Sequence, residues 1–293
     1  MSGFYSIKDL ERVTGIKAHT IRIWEKRYNI VKPERTESNI RCYTDENLKR
    51  LLNISILVKN GYKISRIANL DNKEINDKIL DISRLNNNYI SQVESLIVSM
   101  IELDEFKFEK TLNTMIIKIG FERTVFEIIY PLFEKIGILW QTGSINPAQE
   151  HFISNLIRRK MLVAIDDLPA VTNPDAKTII LYLPEWEFHE IGLLLYEYLL
   201  RKNGFRVFYL GQSLPLEDLI AVAKIRKPDH IMSVFSSPVP KEDFKKYIHE
   251  ISRNFPDTTV FISGYITQSI SFPLPANVKQ FKNAAEFCEE ILK

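Results

Sequence analysis

The stretch that decides the fold is Thr178-Ile-Ile-Leu-Tyr-Leu183 followed by Pro184-Glu-Trp-Glu-Phe-His-Glu-Ile-Gly192. Six apolar or β-branched residues in a row read as a buried strand, and the apolar run that begins near Ile191 reads as a helix. Between them lie Glu187, His189 and Gly192, spaced Glu-x-His-x-x-Gly. A strand that hands directly to a helix belongs to an α/β unit, and a histidine on that handover points out of the sheet edge, where it can meet a ligand.

Working outward, the same alternation continues to the C-terminus. Apolar strands are expected at Thr178–Leu183, Arg206–Leu210, His230–Phe235 and Thr259–Ser263, with helices at about 190–202, 215–226, 241–253 and 283–292. This is the pattern of a parallel sheet covered by helices on both faces. Ligands in such sheets bind beyond the carboxyl ends of the strands, and Glu187, His189, Gly211, Ser233, Ser236 and Gly264 all fall at or near those ends.

Towards the N-terminus the period changes from two to 3.6. Four amphipathic runs, Ser91–Leu103, Asp104–Ile119, Glu122–Trp140 and Pro147–Ile165, predict a four-helix bundle. A polar stretch over 71–90, with Asn86-Asn-Asn88 at its least structured point, separates the bundle from what precedes it. There, Ser6 caps a helix through Ile7, Leu10 and Val13; Gly15 breaks it; Ile21, Trp24 and Tyr28 define a second helix. Pro33 ends that helix, Ile40–Tyr43 suits one strand of a short hairpin, and Leu48 to Val58 forms a further helix that Gly61 stops before a last short one at Ile64 and Ile67.

Charge follows the same division. The whole chain of 293 residues carries a net charge of +2, but residues 1–75 hold 15 Lys and Arg against 9 Asp and Glu, while the remainder holds 24 against 28. Only the first segment is suited to a polyanion. No apolar run reaches the roughly 18 residues that span a bilayer, and the N-terminus lacks the regions of a signal peptide, so no membrane partner and a cytoplasmic location are expected. Cys42 and Cys288 stand too far apart in sequence to suggest a disulfide framework or a thiolate metal cluster.

The segment His19-Thr-Ile-Arg-Ile-Trp-Glu-Lys-Arg-Tyr28 interleaves basic groups with apolar anchors, and the hairpin after it adds Arg35, Thr36, Asn39, Arg41 and Tyr43. Read in order, Thr20-x-Arg22-x-Trp24-Glu25-x-Arg27-Tyr28, Pro33-x-Arg35-Thr36 and Arg41-x-Tyr43 resemble the winged helix-turn-helix domain of the MerR family over about residues 4–70. The resemblance implies dimeric binding to a pseudo-palindromic promoter, with Thr20 and Arg22 on the recognition helix and Arg35, Arg41 and Tyr43 on the wing; Arg27 and Asn39 are further DNA-contacting candidates by their own chemistry. MerR-type chains often continue into a long coiled coil; no sustained heptad follows here, so self-association to a dimer or tetramer must arise elsewhere.

The C-terminal segment resembles the cobalamin-binding domain of methionine synthases, corrinoid methyl carriers and mutases. The resemblance makes His189 the lower axial ligand of cobalt and Glu187 the acidic group that tunes its imidazole; Ser233-Val-Phe235 and Gly264-Tyr265 stand where that family has Ser-x-Leu and Gly-Gly beside the nucleotide tail. Trp140 followed after nine residues by Glu150-His151 is similar to the upper-face cap of cobalamin-dependent photoreceptor repressors of the CarH/LitR type. Their cobalt-binding histidine after the Trp is here Gln141, an amide and a poor cobalt ligand, so the usual two-histidine light product is unavailable unless a residue such as His151 moves in.

The expectation is a multidomain α and α/β chain: a winged helix-turn-helix at 1–75, a four-helix bundle at 76–170 and a Rossmann-like, flavodoxin-like parallel-sheet domain at 171–293. Its expected function is transcriptional regulation, as a repressor, with adenosylcobalamin controlling assembly and DNA binding. The cofactor would contact Trp140, Glu150, His151, Glu187, His189, Gly192, Ser233 and Gly264. A regulator of the same architecture without cobalamin, and a corrinoid enzyme or methyl carrier fused to a DNA-binding head, are the alternatives; no separate substrate-activating constellation supports the enzyme.

Overall fold

The computed structural model describes residues 5–35, 39–71, 73–75, 77–79, 89–141 and 145–291. The Asn86-Asn-Asn88 segment and Thr36 lie outside them. The chain forms two compact units, Met1–Leu156 and Ile157–Lys293.

In the first unit, Ser6 closes a capping box with Asp9 at the start of helix Ile7–Thr14, and Gly15 ends it in the left-handed conformation that only glycine adopts without strain. Helix Ala18–Tyr28 follows helix Ile7–Thr14 after three residues. The hairpin is short, β1 Glu34–Arg35 against β2 Arg41–Cys42, and Tyr43 extends it by a backbone bridge to Tyr5. Helix Asp45–Lys59 begins with a second capping box at Thr44. Ile30, Ile54, Leu57 and Ile67 make the core here, with Trp24 and Tyr28 packed against it.

The four amphipathic runs fold as helices Ile90–Glu102 and Glu105–Ile119, a continuous helical run over 121–141, and helix Pro147–Asp166. The third contains a π-helical segment, Val125–Ile129, just before Pro131. Proline has no N–H to donate, and a local change of register accommodates the lost bond. Gln149 ties the fourth helix to the first by donating to the Ile101 carbonyl at 3.3 Å.

Helix Asp45–Lys59 is joined to this bundle by a buried charge cluster. Glu94 is fully buried and its Oε1 accepts from Lys59 Nζ at 2.8 Å, Ser55 Oγ at 3.1 Å and Lys135 Nζ at 3.5 Å, while Oε2 has no hydrogen-bond partner. Lys49 pairs with Glu102 farther along the same two helices.

The second unit is a five-stranded parallel sheet in the order β4-β3-β5-β6-β7, with β3 Thr178–Pro184, β4 Arg206–Leu214, β5 His230–Val234, β6 Thr259–Ser263 and β7 Val278–Gln280. This is the flavodoxin-like order, as the sequence leads one to expect. One face packs on helices Leu216–Arg226 and Lys241–Asn254 through Leu219, Phe244, Tyr247 and Ile251. The other is covered by helices Ile191–Lys202 and Ala284–Ile291, where Tyr196 meets Phe287 edge-on and donates to Ser263. The chain leaves β3 for β4 on one side and later returns to place β5 on the other. The crevice between β3 and β5 is therefore the topological switch point.

Candidate functional site

The loops that follow β3 and β5 meet at that switch point around one carboxylate. Glu187 is fully buried. Its Oε1 accepts from the backbone N–H of Phe188 and His189 at 3.1 and 3.0 Å and from Ser237 Oγ at 2.9 Å; its Oε2 accepts from the backbone N–H of Ser236 and Ser237, both at 2.6 Å. His189 Nδ1 lies 2.7 Å from Oε1 and 3.2 Å from Ser237 Oγ. Burial alone would push this carboxyl up, but the hydrogen bonds from His189, Ser237 and Ser236 outweigh it and hold the group down at about 2. Glu187 is thus an anion at any ordinary pH.

An ionised carboxylate accepts only, so His189 Nδ1 carries the proton and the lone pair sits on Nε2. The side chain of His189 is 66% exposed, at the mouth of the crevice. A histidine whose second nitrogen is held by a buried carboxylate has a fixed tautomer, a fixed ring orientation and raised basicity, the properties a metal-ligating imidazole needs. Among the described residues there is no cluster of three or more His, Cys, Asp or Glu able to hold an ion by themselves. The donor set suits a cofactor that brings its metal with it.

Beneath the histidine, the three remaining sequence-selected residues have distinct surroundings. Gly192 lets its helix approach β5, since a Cβ there would lie 3.2 Å from Val234 Cγ1. Gly264 has φ +110° and an added Cβ would lie 2.4 Å from the Phe235 carbonyl oxygen, so no other residue fits between these two backbones. Ser233 is buried beside Tyr182, and its hydroxyl faces the buried Tyr182 hydroxyl.

Ser237 is the member that sequence reading missed. It is fifty residues from Glu187, and only the parallel pairing of β3 with β5 brings the two loops together. The side chains of Trp140 and Gln141 lie outside the described residues; their backbone ends helix Tyr130–Gln141. Glu150 and His151 pair in the first turns of helix Pro147–Asp166, His151 Nδ1 to Glu150 Oε2 at 3.1 Å, with Ser154 Oγ also donating to Glu150.

At the N-terminal module, Arg22 and Arg27 are exposed on helix Ala18–Tyr28, whereas Ile21 is fully buried. Thr20 Oγ1 is 3.3 Å from His19 Nε2. On the hairpin Arg35 Nη1 donates to Asn39 Oδ1 at 2.6 Å, and both residues are exposed. Arg41 Nε donates to Glu25 Oε1 at 3.1 Å and remains partly exposed. Tyr43 departs from expectation: it is fully buried and its hydroxyl donates to Glu25 Oε2 at 3.2 Å. Burial first, and then the Glu25 charge, push its hydroxyl up to about 12. Tyr43 therefore seats the wing on the helix instead of reaching a phosphate, and Glu25 is the residue that aligns both.

Comparison with known proteins matches two family models, both on segments that precede the parallel sheet. Residues 5–74 match the family model described as MerR HTH family regulatory protein, and residues 92–164 match that described as B12 binding domain. The chain is 25% identical to the HTH-type transcriptional repressor CarH of Myxococcus xanthus over 272 residues, 90% of each chain. It is 27% identical to the HTH-type transcriptional repressor CarA of the same organism over 261 residues, 88% of this chain and 85% of that one. The monomethylamine corrinoid protein of Methanosarcina barkeri superposes with a TM-score of 0.54 at 16% identity, covering 70% of this chain and 98% of the other, a likeness of fold. The chain joins a MerR-type HTH domain to a B12-binding domain, the make-up of a B12-sensing transcriptional regulator.

Proposed function

We propose that the protein is a repressor whose sensory ligand is adenosylcobalamin, with His189 as the lower axial ligand of cobalt. The observation that carries this reading is the Glu187–His189–Ser237 constellation at the switch point, in which a buried anion fixes one imidazole nitrogen at 2.7 Å and leaves the ring facing outward. Ser233 and Gly264 would border the nucleotide tail, Gly192 the packing below it, and Trp140, Glu150 and His151 the upper face. When bound, cobalamin supplies a cobalt centre and an upper organic ligand whose presence or loss is the signal.

In this reading residues 1–75 bind promoter DNA, 76–170 form the cap and 171–293 hold the lower face. Ligand binding drives assembly from weakly associated chains to a tetramer, and several linked winged helices then gain avidity by effective concentration. Thr20, Arg22, Arg27, Arg35, Asn39 and Arg41 would contact the operator. Gln141 argues against a second histidine ligand after illumination. No described helix is long and apolar enough to cross a membrane, which suits our placement of the regulator in the cytoplasm. We read it as a sensor and not as a methyl carrier because its full-length relatives are repressors.

Size-exclusion chromatography with absorbance detection tests the reading. With adenosylcobalamin in darkness the corrin absorbance should co-elute with protein at the tetramer position; apoprotein should elute later. Loss of the corrin band from the protein peak would contradict ligand binding, and co-elution without a change in size would contradict ligand-driven assembly. Illumination of the same sample separates the light step: disassembly would show that loss of the upper ligand suffices as the signal, and a persisting tetramer would show that the light step needs the histidine that Gln141 replaces.

A further inference from the structure

The residue that follows the proposed ligand is engaged on both carboxylate oxygens by side chains that no motif contains. Glu190 is 6% exposed and stands at the start of helix Ile191–Lys202. Tyr209 Oη donates to its Oε2 at 3.0 Å, and Arg158 Nε forms an ion pair with its Oε1. Tyr209 comes from β4, and Arg158 from the C-terminal half of helix Pro147–Asp166, which belongs to the second unit. A carboxylate so far from water persists only when paired, and here both oxygens are.

The geometry around this group is built to hold a turn. The Glu190 N–H donates to the Phe188 carbonyl at 3.0 Å, so Phe188, His189 and Glu190 form a tight turn. Glu187 anchors the turn on one side of His189 and Glu190 on the other. The register between β3 and β4 slips between Leu181–Tyr209 and Tyr182–Gly211, leaving Leu210 as an extra residue, and Gly211 takes φ +78°. Bulges of this kind re-aim a neighbouring side chain, and the neighbour is Tyr209.

We propose that Glu190 is a positioning residue for His189: Arg158 and Tyr209 hold the Glu190 carboxylate, and through it the His189 peptide, at the place from which the imidazole meets cobalt. Arg158 and Glu190 both belong to the second unit, so the ion pair is internal to it. The proposal rests on the reading of His189 as the lower ligand.

The test uses the full chain, with cobalamin as the probe in its cob(II)alamin form. Electron paramagnetic resonance reports whether an axial nitrogen is bound, titration by absorbance gives the dissociation constant, and hydrogen exchange of residues 185–190 in the apoprotein reports the turn without any ligand. Glu190→Ala and Arg158→Met should weaken binding about tenfold to a hundredfold, the range seen when groups behind a metal ligand are removed. Both should give a mixture of nitrogen-bound and nitrogen-free cobalt, and faster exchange in 185–190. Arg158→Lys should restore most of the nitrogen-bound fraction. Should Glu190→Ala fold poorly, Tyr209→Phe removes one hydroxyl only and should weaken binding several-fold in the same sense. Unchanged affinity, a fully nitrogen-bound spectrum and unchanged exchange in these variants would overturn the proposal. A wild-type spectrum that His189→Ala leaves unaltered would instead overturn the ligand reading, and the positioning role with it.

Discussion

A single buried carboxylate organises the switch point. Glu187 accepts from two loops, and its charge is maintained against burial by donated hydrogen bonds. The sequence displays Glu187, His189 and Gly192 because they are neighbours, but it cannot display Ser237, whose place depends on which strand pairs with β3. Tyr43 shows the converse: a polar aromatic on a basic hairpin reads as a phosphate contact until its burial and its bond to Glu25 are seen. Gly264 was legible as a motif remnant, while its physical reason, the approach of the Phe235 backbone, was not. Gly264→Ala should destabilise the α/β unit by about 3 kcal/mol or more, through a strained φ and a backbone clash together. The denaturant midpoint of that unit measures it, and a shift equivalent to under 1 kcal/mol would show that the two backbones can separate freely.

Elements were the most legible level. Helix and strand positions follow from periodicity, because the 3.6- and two-residue repeats are long and the caps at Ser6 and Thr44 are local. Strand β7 was missed; three residues, Val278–Gln280, give periodicity too little to act on. β4 runs to Leu214 instead of stopping near Leu210, since its irregular end is held by pairing with β3 and not by its own apolar pattern. The joint between helices Asp45–Lys59 and Ile90–Glu102 was also invisible, as Glu94 reads as an ordinary polar position on an amphipathic helix.

That joint makes an asymmetric prediction. The side chains of Lys59 and Lys135 are 41% and 22% exposed and can turn to water, whereas Glu94 cannot. The double substitution Lys59→Met with Lys135→Met, which strands the carboxylate, should cost about 3–5 kcal/mol; Glu94→Met should cost much less. Hydrogen exchange in helix Ile90–Glu102 distinguishes the two, and equal losses would contradict the cluster as described. The pH dependence has a definite sign. Burial lowers the Lys135 ammonium below its ordinary value of 10.5, with Glu94 opposing. The native state binds that proton less tightly than the unfolded chain, so this contribution to stability is greatest above 10.5 and is lost as pH falls through the lowered value. Lys135→Met should remove that slope.

At the scale of the molecule, charge and architecture agree. The excess of basic residues is confined to the N-terminal module, where Arg22 and Arg27 are exposed on one helix and Arg35 on the wing. Binding that rests on phosphate neutralisation should fall steeply with salt, which fixes the conditions under which any effect of ligand must be compared. Assembly was not legible in the sequence, because an interface is a surface property and this chain lacks the heptads that announce a coiled coil. The central claim is that occupancy at His189 governs DNA binding. The most direct measurement is fluorescence anisotropy at fixed salt, in darkness, with a DNA fragment that the protein itself selects from a random-sequence pool. Adenosylcobalamin should tighten binding of the wild-type chain about tenfold or more, and His189→Ala should keep the ligand-free affinity and lose the increase. Equal affinity with and without adenosylcobalamin in the wild type, or an undiminished increase in His189→Ala, would contradict the account.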